Sequence, residues 1–527
     1  MKSNLAARSV VLVALTCAAC RGGRATDGSG AVVSPARSGA PAGRDIFPSE
    51  LQRDVYAFAA DSFRGRETGT PDARRAAAFL ADRLMSLGLE PAGDSMYVQR
   101  VPLSKQRLTP NTRFVVTDGR SNRALRLGDD ISPLLSLGPG APEPKRFASG
   151  DVVFAGYGLQ SKTLGRDDLS KVDLVGKVVV IIHGAPPNVD AKAKEQLEGQ
   201  PELGARLGRL MPFHPAAIVL LMNEGTRAFY QQIVTELQRV VVPRDQYETT
   251  SDEERPLPMI LLGVAKAGSP LLPSGWPRDE RPQALARRFT AQVETARDPF
   301  TAYNVVAVVR GTEPKLNKTY VAFGAHYDHI GVQPPVDGDS IANGADDDGS
   351  GSMAMLAVAR RLVASPPRRS ALLVWHVGEE KGLLGSAYFT QHPTVPIDSV
   401  VAQLNADMIG RNAPEQLYIV GPSAAPNGQS RVLGKIVDSV NAALPRPFVI
   451  DRELDAPDHP EQIYQRSDHY NYARQGVPIV FFTTGLHADY HRVSDDASKI
   501  DYEKLARVAN LIFETGKAVG NRSSRPR

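Results

Sequence analysis

Residues 320–329 read Y-V-A-F-G-A-H-Y-D-H, a short apolar run followed directly by two histidines and an aspartate. Several other apolar runs in this half of the chain also lead into acidic or imidazole side chains. A compact apolar run bounded by polar turns is typical of a buried strand in a parallel sheet. The predicted strands of the C-terminal half are Val305–Val309, Tyr320–Gly324, Ala371–Val377, Val400–Leu404 and Pro478–Thr483.

Helical segments alternate with these runs, as at Gly351–Leu362, Arg431–Ala443 and Leu505–Val519. Alternating strands and helices predict the α/β class, with a mostly parallel central sheet and helices on both faces. In such a sheet, ligands bind outside the carboxyl ends of the strands. The residues that follow each predicted strand are therefore the place to look for a functional site.

Acidic and imidazole side chains follow four of the predicted strands. His326 follows one, Glu379–Glu380 another and Asp407 a third, while His491 lies in the loop after a fourth. The stretch G-A-D-D-D-G-S-G at 344–351 adds three aspartates just before a predicted helix. Two imidazoles and at least three carboxylates can hold two divalent metals and leave one glutamate for proton transfer. We interpret this inventory as the site of a metal-assisted hydrolysis.

Each motif also has a simpler interpretation when it is taken alone. Aspartate caps helix N-termini, but capping needs one carboxylate and 346–348 supplies three. Glu379 and Glu380 would be a solvated pair, yet they follow the strongly apolar run A-L-L-V-W-H-V. Asp407 lies in the otherwise uncharged run V-V-A-Q-L-N-A-D-M-I-G, where a buried carboxylate needs a partner. The metal hypothesis therefore depends on the set and not on one motif.

Length and charge limit the classes of partner. The chain has 527 residues, which suggests about three units from size alone. Its formal net charge of +4 is small for this length, and no block of Lys and Arg is interleaved with aromatic residues. The composition therefore predicts no nucleic-acid partner.

The first 20 residues predict an export signal. Lys2 and Arg8 charge the first segment, and the apolar run Val10–Ala19 is too short for a permanent membrane span. Cys17 and Cys20 are the only cysteines of the chain, so no disulfide is expected in the mature protein. The stretch L-T-C-A-A-C resembles a bacterial lipoprotein signal, with cleavage before Cys20 and lipid on its sulfur. Ordinary signal cleavage nearby is the alternative, and both place the protein in the cell envelope, periplasm or extracellular space.

Composition and residue pattern divide the rest of the chain into three parts. Residues 21–45 are rich in Gly, Ser, Ala, Pro and Arg, which predicts a flexible linker. Residues 46–130 and 296–527 are assigned to one catalytic domain. Residues 131–295 contain short strand-like runs separated by turns, and are predicted to form a separate, β-rich inserted domain.

Together these motifs resemble the co-catalytic zinc aminopeptidases, the family of bacterial leucyl aminopeptidases and glutamate carboxypeptidase relatives. The resemblance includes S-F-R-G-R-E-T-G-T at 62–70, S-D-H at 467–469 and G-V-P-I-V-F-F-T-T-G at 476–485. The insert resembles a protease-associated domain through F-A-G-Y-G-L at 154–159 and L-V-G-K-V-V-V-I at 174–181. The resemblance to the zinc aminopeptidases implies an exopeptidase acting on peptide substrates, most simply an aminopeptidase. A glutaminyl cyclase-like enzyme with one zinc and a non-catalytic receptor-like ectodomain are the alternatives.

The same resemblance implies a ligand set for two zinc ions per chain. His326 and Asp407 would hold one ion, and Glu380 and His491 the other. Asp347, the middle one of the three aspartates, would bridge them.

Three further roles follow from the resemblance. Glu379 would be the general base, and Asp328 would support His326 from the second shell of the site. Tyr490 occupies the place where some relatives use a tyrosine to stabilise the oxyanion.

Overall fold

The structure is a computed structural model that describes residues 45–526, apart from 136–143, 228–229, 231–233, 235–238, 245–254 and 460. The predicted export signal and almost all of the predicted linker lie outside the described residues. No described helix combines the length and the apolar character that a membrane crossing requires.

The described chain forms two compact units, Leu103–Pro299 and the remainder, Asp45–Pro102 with Phe300–Pro526. The sequence placed the insert at 131–295, so its N-terminal boundary in the structure comes about one hairpin earlier. The reason is strand pairing. The hairpin Arg113–Thr117 and Asn122–Leu125 pairs with Gln283–Gln292 inside the first unit, which the local sequence pattern does not reveal.

The unit Leu103–Pro299 is built on an eight-stranded mixed sheet. Its middle strands Phe147–Phe154, Val178–His183, Ala217–Met222 and Met259–Val264 are parallel neighbours in that order. Antiparallel strands Gln283–Gln292 and Ile131–Pro133 flank them. Among its described residues, α-helices span Ala191–Glu198 and Gln200–Leu210. Two further short strands of this unit, Gln160–Ser161 and Arg166–Asp167, pair with each other. The strand Val241–Pro243 pairs antiparallel with Leu103–Lys105, outside the eight-stranded sheet.

The second unit contains the predicted central sheet. Its strands lie in the order Val98–Leu108, Thr295–Val309, Ser370–His376, Tyr320–His326, Val400–Ala406, Ile479–Thr483, Gln416–Val420 and Val449–Asp451. The four strands in the middle, from Ser370–His376 to Ile479–Thr483, are parallel. The strands on either side of these four pair antiparallel with them. The α/β class is confirmed, with a parallel centre and antiparallel flanks.

Helices cover both faces of this sheet because the strands are apolar on both sides. Val306, Ala322 and Val374 pack in one cluster with Phe389 and Tyr472 of two short helices. The alternate strand residues face the other side, where Phe323 is packed so closely on Gly516 that a β-carbon there would collide with its ring. The helices of this unit are Pro48–Phe58, Pro71–Ser86, Gly351–Ala364, Leu384–Gln391, Arg431–Ala442, His469–Arg474 and Tyr502–Gly520.

Local sequence explains where several helices begin. Pro71 starts one helix, and the hydroxyl of Thr70 accepts a hydrogen bond from the amide of Ala73 at 3.4 Å. Asp501 caps the last helix through the amide of Lys504 at 2.9 Å.

Candidate metal centre

The carboxyl ends of the four parallel strands bring the predicted residues together. His326 is the last residue of its strand, and Asp407 directly follows another. Glu379 and Glu380 lie in the turn after Ser370–His376, and His491 lies in the loop after Ile479–Thr483. Parallel strands end at one edge of a sheet, so these sequence-distant side chains become neighbours.

Asp347 lies between the two histidines. Its Oδ1 is 3.2 Å from His326 Nε2, and its Oδ2 is 3.2 Å from His491 Nε2. The carboxylate therefore presents one oxygen to each imidazole, as a bridging ligand does.

Each histidine has a further carboxylate of its own. Asp407 Oδ1 is 3.5 Å from His326 Nε2, and Glu380 Oε2 is 2.9 Å from His491 Nε2. Glu379 is farther out, with Oε2 at 3.9 Å from His326 Nε2. Two atoms bonded tetrahedrally to one zinc at normal bond lengths lie about 3.3 Å apart. The distances from His326 and His491 to Asp347, Asp407 and Glu380 are close to that value. The distance from His326 to Glu379 is longer.

Buried polar atoms without partners also fit a divalent ion. His326 Nε2, His491 Nε2 and Asp407 Oδ1 are buried and lack a hydrogen-bond partner within the described part of the chain. Such atoms are costly to bury unless something satisfies them. Metal ions held by these imidazoles and carboxylates would satisfy all three atoms.

The three consecutive aspartates have separate contacts. Asp348 accepts hydrogen bonds from the amides of His326 at 3.1 Å and of Gly351, the first residue of the helix, at 2.9 Å. Asp346 accepts a hydrogen bond from the amide of Gly410 at 2.7 Å. Of the three aspartates, Asp347 is the one whose carboxylate faces both His326 and His491. The amides of Asp346 and Asp347 both donate to the buried Asp495, which fixes the turn.

Asp328 supports His326 differently from the expectation. His326 Nδ1 contacts the backbone carbonyl of Asp328 at 3.1 Å, whereas the carboxylate Oδ1 lies 3.9 Å away. The carboxylate instead accepts hydrogen bonds from the hydroxyl of Thr68 at 2.8 Å and the amide of Glu379 at 3.3 Å. Asp328 therefore orients the imidazole through its main chain and positions the loop of Glu379 through its side chain.

His329 is a neighbour of the site that was not assigned from the sequence. Its Nδ1 is 2.7 Å from Glu380 Oε1 and 3.7 Å from Asp347 Oδ2. The shorter distance is that of a hydrogen bond, so His329 donates to Glu380 and orients it toward His491. The motif H-Y-D-H already contained this residue, but only the strand-end geometry shows that it turns toward Glu380.

The two adjacent glutamates have different electrostatic environments. Burial raises the pKa of Glu379 well above its ordinary value. Burial and Asp347 also act to raise the pKa of Glu380, but His491 and His329 outweigh them and lower it. Glu380 is thus held as an anion, whereas Glu379 has the stronger tendency to hold a proton.

Tyr490 packs against the same group. Its ring stacks on His491, with centroids 3.9 Å apart and planes inclined by 24°. Tyr490 also lines a pocket together with Asp347, Glu379 and Asp407. The apolar residues of that lining are Met408, Leu454, Ile463, Phe481 and Leu486.

Arg66, in the motif at 62–70, holds two of the site loops. Its fully buried guanidinium donates to the carbonyls of Tyr327 at 2.8 Å, Asn343 at 2.7 Å and Gly344 at 2.8 Å. A fourth bond reaches the carbonyl of Phe58 at 3.2 Å. These contacts join the loop after His326 to the start of the aspartate turn.

Replacing Arg66 by lysine is expected to lower the free energy of unfolding by about 3 kcal/mol, because several buried carbonyls lose their donors. One ammonium cannot reproduce the planar fork of a guanidinium. The change is measured by urea unfolding against Arg64→Lys, whose side chain is 55% exposed and whose effect should stay within about 0.5 kcal/mol. Equal effects at the two positions would show that Arg66 does not hold the loops.

Comparison with known proteins shows one family match. Residues 304–516 match the model of peptidase family M28, and we call this stretch the M28 region. The M28 region contains all the residues of the candidate metal centre, from His326 to His491.

Curated relatives are similar to part of this chain, and two of them serve as examples. Leucine aminopeptidase 1 of Trichophyton rubrum is 31% identical over 242 residues, covering 44% of this chain and 61% of the relative. Leucine aminopeptidase 1 of Arthroderma gypseum is 29% identical over 240 residues, covering 43% and 60%. The chain thus spans about three fifths of the length of these relatives.

Solved structures resemble this chain over most of its length. The aminopeptidase from Aneurinibacillus sp. strain AM-1 has a TM-score of 0.53 at 16% identity, covering 92% of this chain and 96% of its own. BSAP, a zinc aminopeptidase from Bacillus subtilis, has a TM-score of 0.51 at 16% identity, covering 92% and 98%. At this identity the likeness shows a shared fold.

Proposed function

We propose that this protein is a zinc-dependent exopeptidase that removes N-terminal residues from peptides. The observation that carries the proposal is the pair of imidazole–carboxylate groups that share Asp347, with Glu379 beside them. Its M28 region and the aminopeptidase names of its relatives support the same activity.

The proposed ligands are those that the resemblance implied. His326 and Asp407 would hold one zinc, Glu380 and His491 the other, and Asp347 both. Bound zinc supplies Lewis-acid polarisation of the peptide carbonyl and of the attacking water.

Glu379 is proposed as the general base. One of its carboxylate oxygens accepts a proton from the attacking water and then returns that proton to the nitrogen of the leaving peptide. Its distance from His326, longer than that of Asp347 or Asp407, supports this role over that of a ligand.

The pocket beside the metal centre suits an apolar side chain of the substrate. Leu454, Ile463 and Phe481 are among the residues that line it. Burying an aliphatic or aromatic side chain there would contribute about 1.5–3 kcal/mol to binding.

Two further assignments remain proposals. The unit Leu103–Pro299, with its parallel middle strands, is proposed to be a protease-associated domain, on the resemblance at 154–159 and 174–181. Export is proposed from the signal at residues 1–20, with Cys20 as the site of a lipid anchor to the membrane.

The proposed activity is tested with aminoacyl-nitroanilides and matched N-blocked peptides, assayed with and without a chelator. We expect hydrolysis of the free-amine substrates only, complete loss with chelator, and recovery on adding zinc. Elemental analysis should approach two metals per chain.

Other results would identify the alternatives. Cyclisation of N-terminal glutamine with one metal per chain would favour the glutaminyl cyclase-like enzyme. Absence of both metal and hydrolysis would favour a receptor-like ectodomain, and release of C-terminal residues would indicate a carboxypeptidase.

A further inference from the structure

Arg466 lies on the wall of the pocket next to the metal centre. Of the described residues that line this pocket, Arg466 alone carries a positive charge, while Asp347, Glu379 and Asp407 are acidic. Its side chain is 11% exposed. Arg466 directly precedes the S-D-H motif at 467–469.

The guanidinium contacts the described side chains of Glu461 and Tyr490. Nη1 donates to Glu461 Oε2 at 2.8 Å, and Nη2 donates to the hydroxyl oxygen of Tyr490 at 3.3 Å. Cζ of Arg466 also lies 6.0 Å from the centroid of the Tyr490 ring. The Tyr490 ring also stacks on the imidazole of His491. Tyr490 is thus placed by a metal-centre histidine and by Arg466.

The direction of the hydrogen bond decides what the phenol can do. A tyrosine hydroxyl has one proton to donate, and here its oxygen already accepts from Arg466. The proton of Tyr490 is therefore available to an acceptor in the pocket. A charged donor on the oxygen withdraws electron density from the O–H bond and makes it a stronger donor.

We propose that Arg466 is a positioning residue that orients and polarises the hydroxyl of Tyr490. The resemblance already implies that this hydroxyl donates to the scissile carbonyl oxygen as that oxygen gains negative charge. No proton is transferred in this step, and the hydrogen bond strengthens as the charge develops. The inference rests on the proposed peptidase function.

The test is a double-mutant cycle of Arg466→Gln and Tyr490→Phe on an aminoacyl-nitroanilide. Tyr490→Phe should lower kcat roughly a hundredfold, the lower end for loss of an oxyanion donor. Arg466→Gln should lower kcat about tenfold, the scale of one charge-assisted hydrogen bond, with KM within twofold. Because Arg466 acts through Tyr490, the double variant should be no slower than Tyr490→Phe alone.

The chain offers a matched control pair. Arg474 lies with Cζ 5.9 Å from the ring centroid of Tyr470, an arginine–tyrosine contact outside the residues that line the metal pocket. Arg474→Gln and Tyr470→Phe should leave kcat and KM unchanged. Glu461→Gln keeps Arg466 but removes its anchor, and should give a smaller loss of kcat in the same direction.

Binding provides a second measurement. An aminoalkyl phosphonate mimics the tetrahedral oxyanion, whereas the free amino acid product does not. Arg466→Gln should weaken the phosphonate about tenfold and change the affinity for the amino acid less than twofold.

The possible outcomes separate the two levels of proposal. A wild-type protein that hydrolyses no free-amine substrate contradicts the proposed function itself. If the wild type is active and the kcat losses of the two single variants multiply in the double variant, the inference is contradicted. It is also contradicted if Arg466→Gln raises KM alone. Thermal unfolding of each variant shows whether a loss of kcat comes from loss of the fold. A folded Glu461→Gln variant that keeps full kcat also contradicts the inference.

Discussion

Replacing Glu379 by glutamine is expected to lower turnover by about a hundredfold to ten-thousandfold, the usual scale for loss of a general base. Glutamine keeps the volume and an acceptor oxygen but takes up no proton at neutral pH. Metal content should remain that of the wild type, because Glu379 lies farther from His326 than Asp347 and Asp407 do.

Glu380→Gln is the matched control, since it makes the same chemical change one residue later. Glu380 contacts both His491 and His329, and a neutral amide is a poorer ligand than a carboxylate. This variant should lose metal, and added zinc should restore part of its activity.

Kinetics and elemental analysis of both variants distinguish the two roles. Metal loss in the Glu379 variant with retention in the Glu380 variant would mean that the roles are reversed. Full activity in both would place the reaction elsewhere in the protein.

The second large effect is expected at the shared carboxylate. Asp347→Asn should weaken both metal sites together and abolish measurable activity without added zinc, because one carboxylate faces both histidines. Asp407→Asn should weaken one site only, since Asp407 approaches His326 and not His491.

Metal content after stepwise dialysis against a chelator measures this difference. The Asp347 variant should release both metals over one range of chelator, whereas the Asp407 variant should keep one metal to higher chelator. If both variants lose a single metal, Asp347 does not bridge the sites. Circular dichroism shows whether the variants remain folded, because the turn is also fixed by Asp495.

The strands and helices of the M28 region were predictable because their signal is local. The predicted strand Tyr320–Gly324 and the predicted helix Gly351–Leu362 lie within Tyr320–His326 and Gly351–Ala364. An uninterrupted apolar run reports burial on both faces of a strand, and this property depends on neighbouring residues alone. From the strand ends, the sequence also predicted which side chains meet at the sheet edge.

Long-range contacts set the limit of that prediction. The compact unit that contains the predicted insert begins near 103 and not at 131. The reason is that the hairpin starting at Arg113 pairs with a strand about 170 residues later in the chain. Arg66 is 261 residues from Tyr327, whose carbonyl it binds. No pattern of neighbouring residues encodes such a pair.

The sequence by itself thus determined the class of fold, the residues at the strand ends and the kind of chemistry that they allow. Only the tertiary structure decided which oxygen of Asp347 faces which histidine, and that Asp328 contacts His326 through its backbone carbonyl. It also decided that Arg466 reaches Tyr490. The physical reason is that composition and periodicity report burial, whereas the direction of a side chain depends on loops that are fixed by contacts distant in sequence.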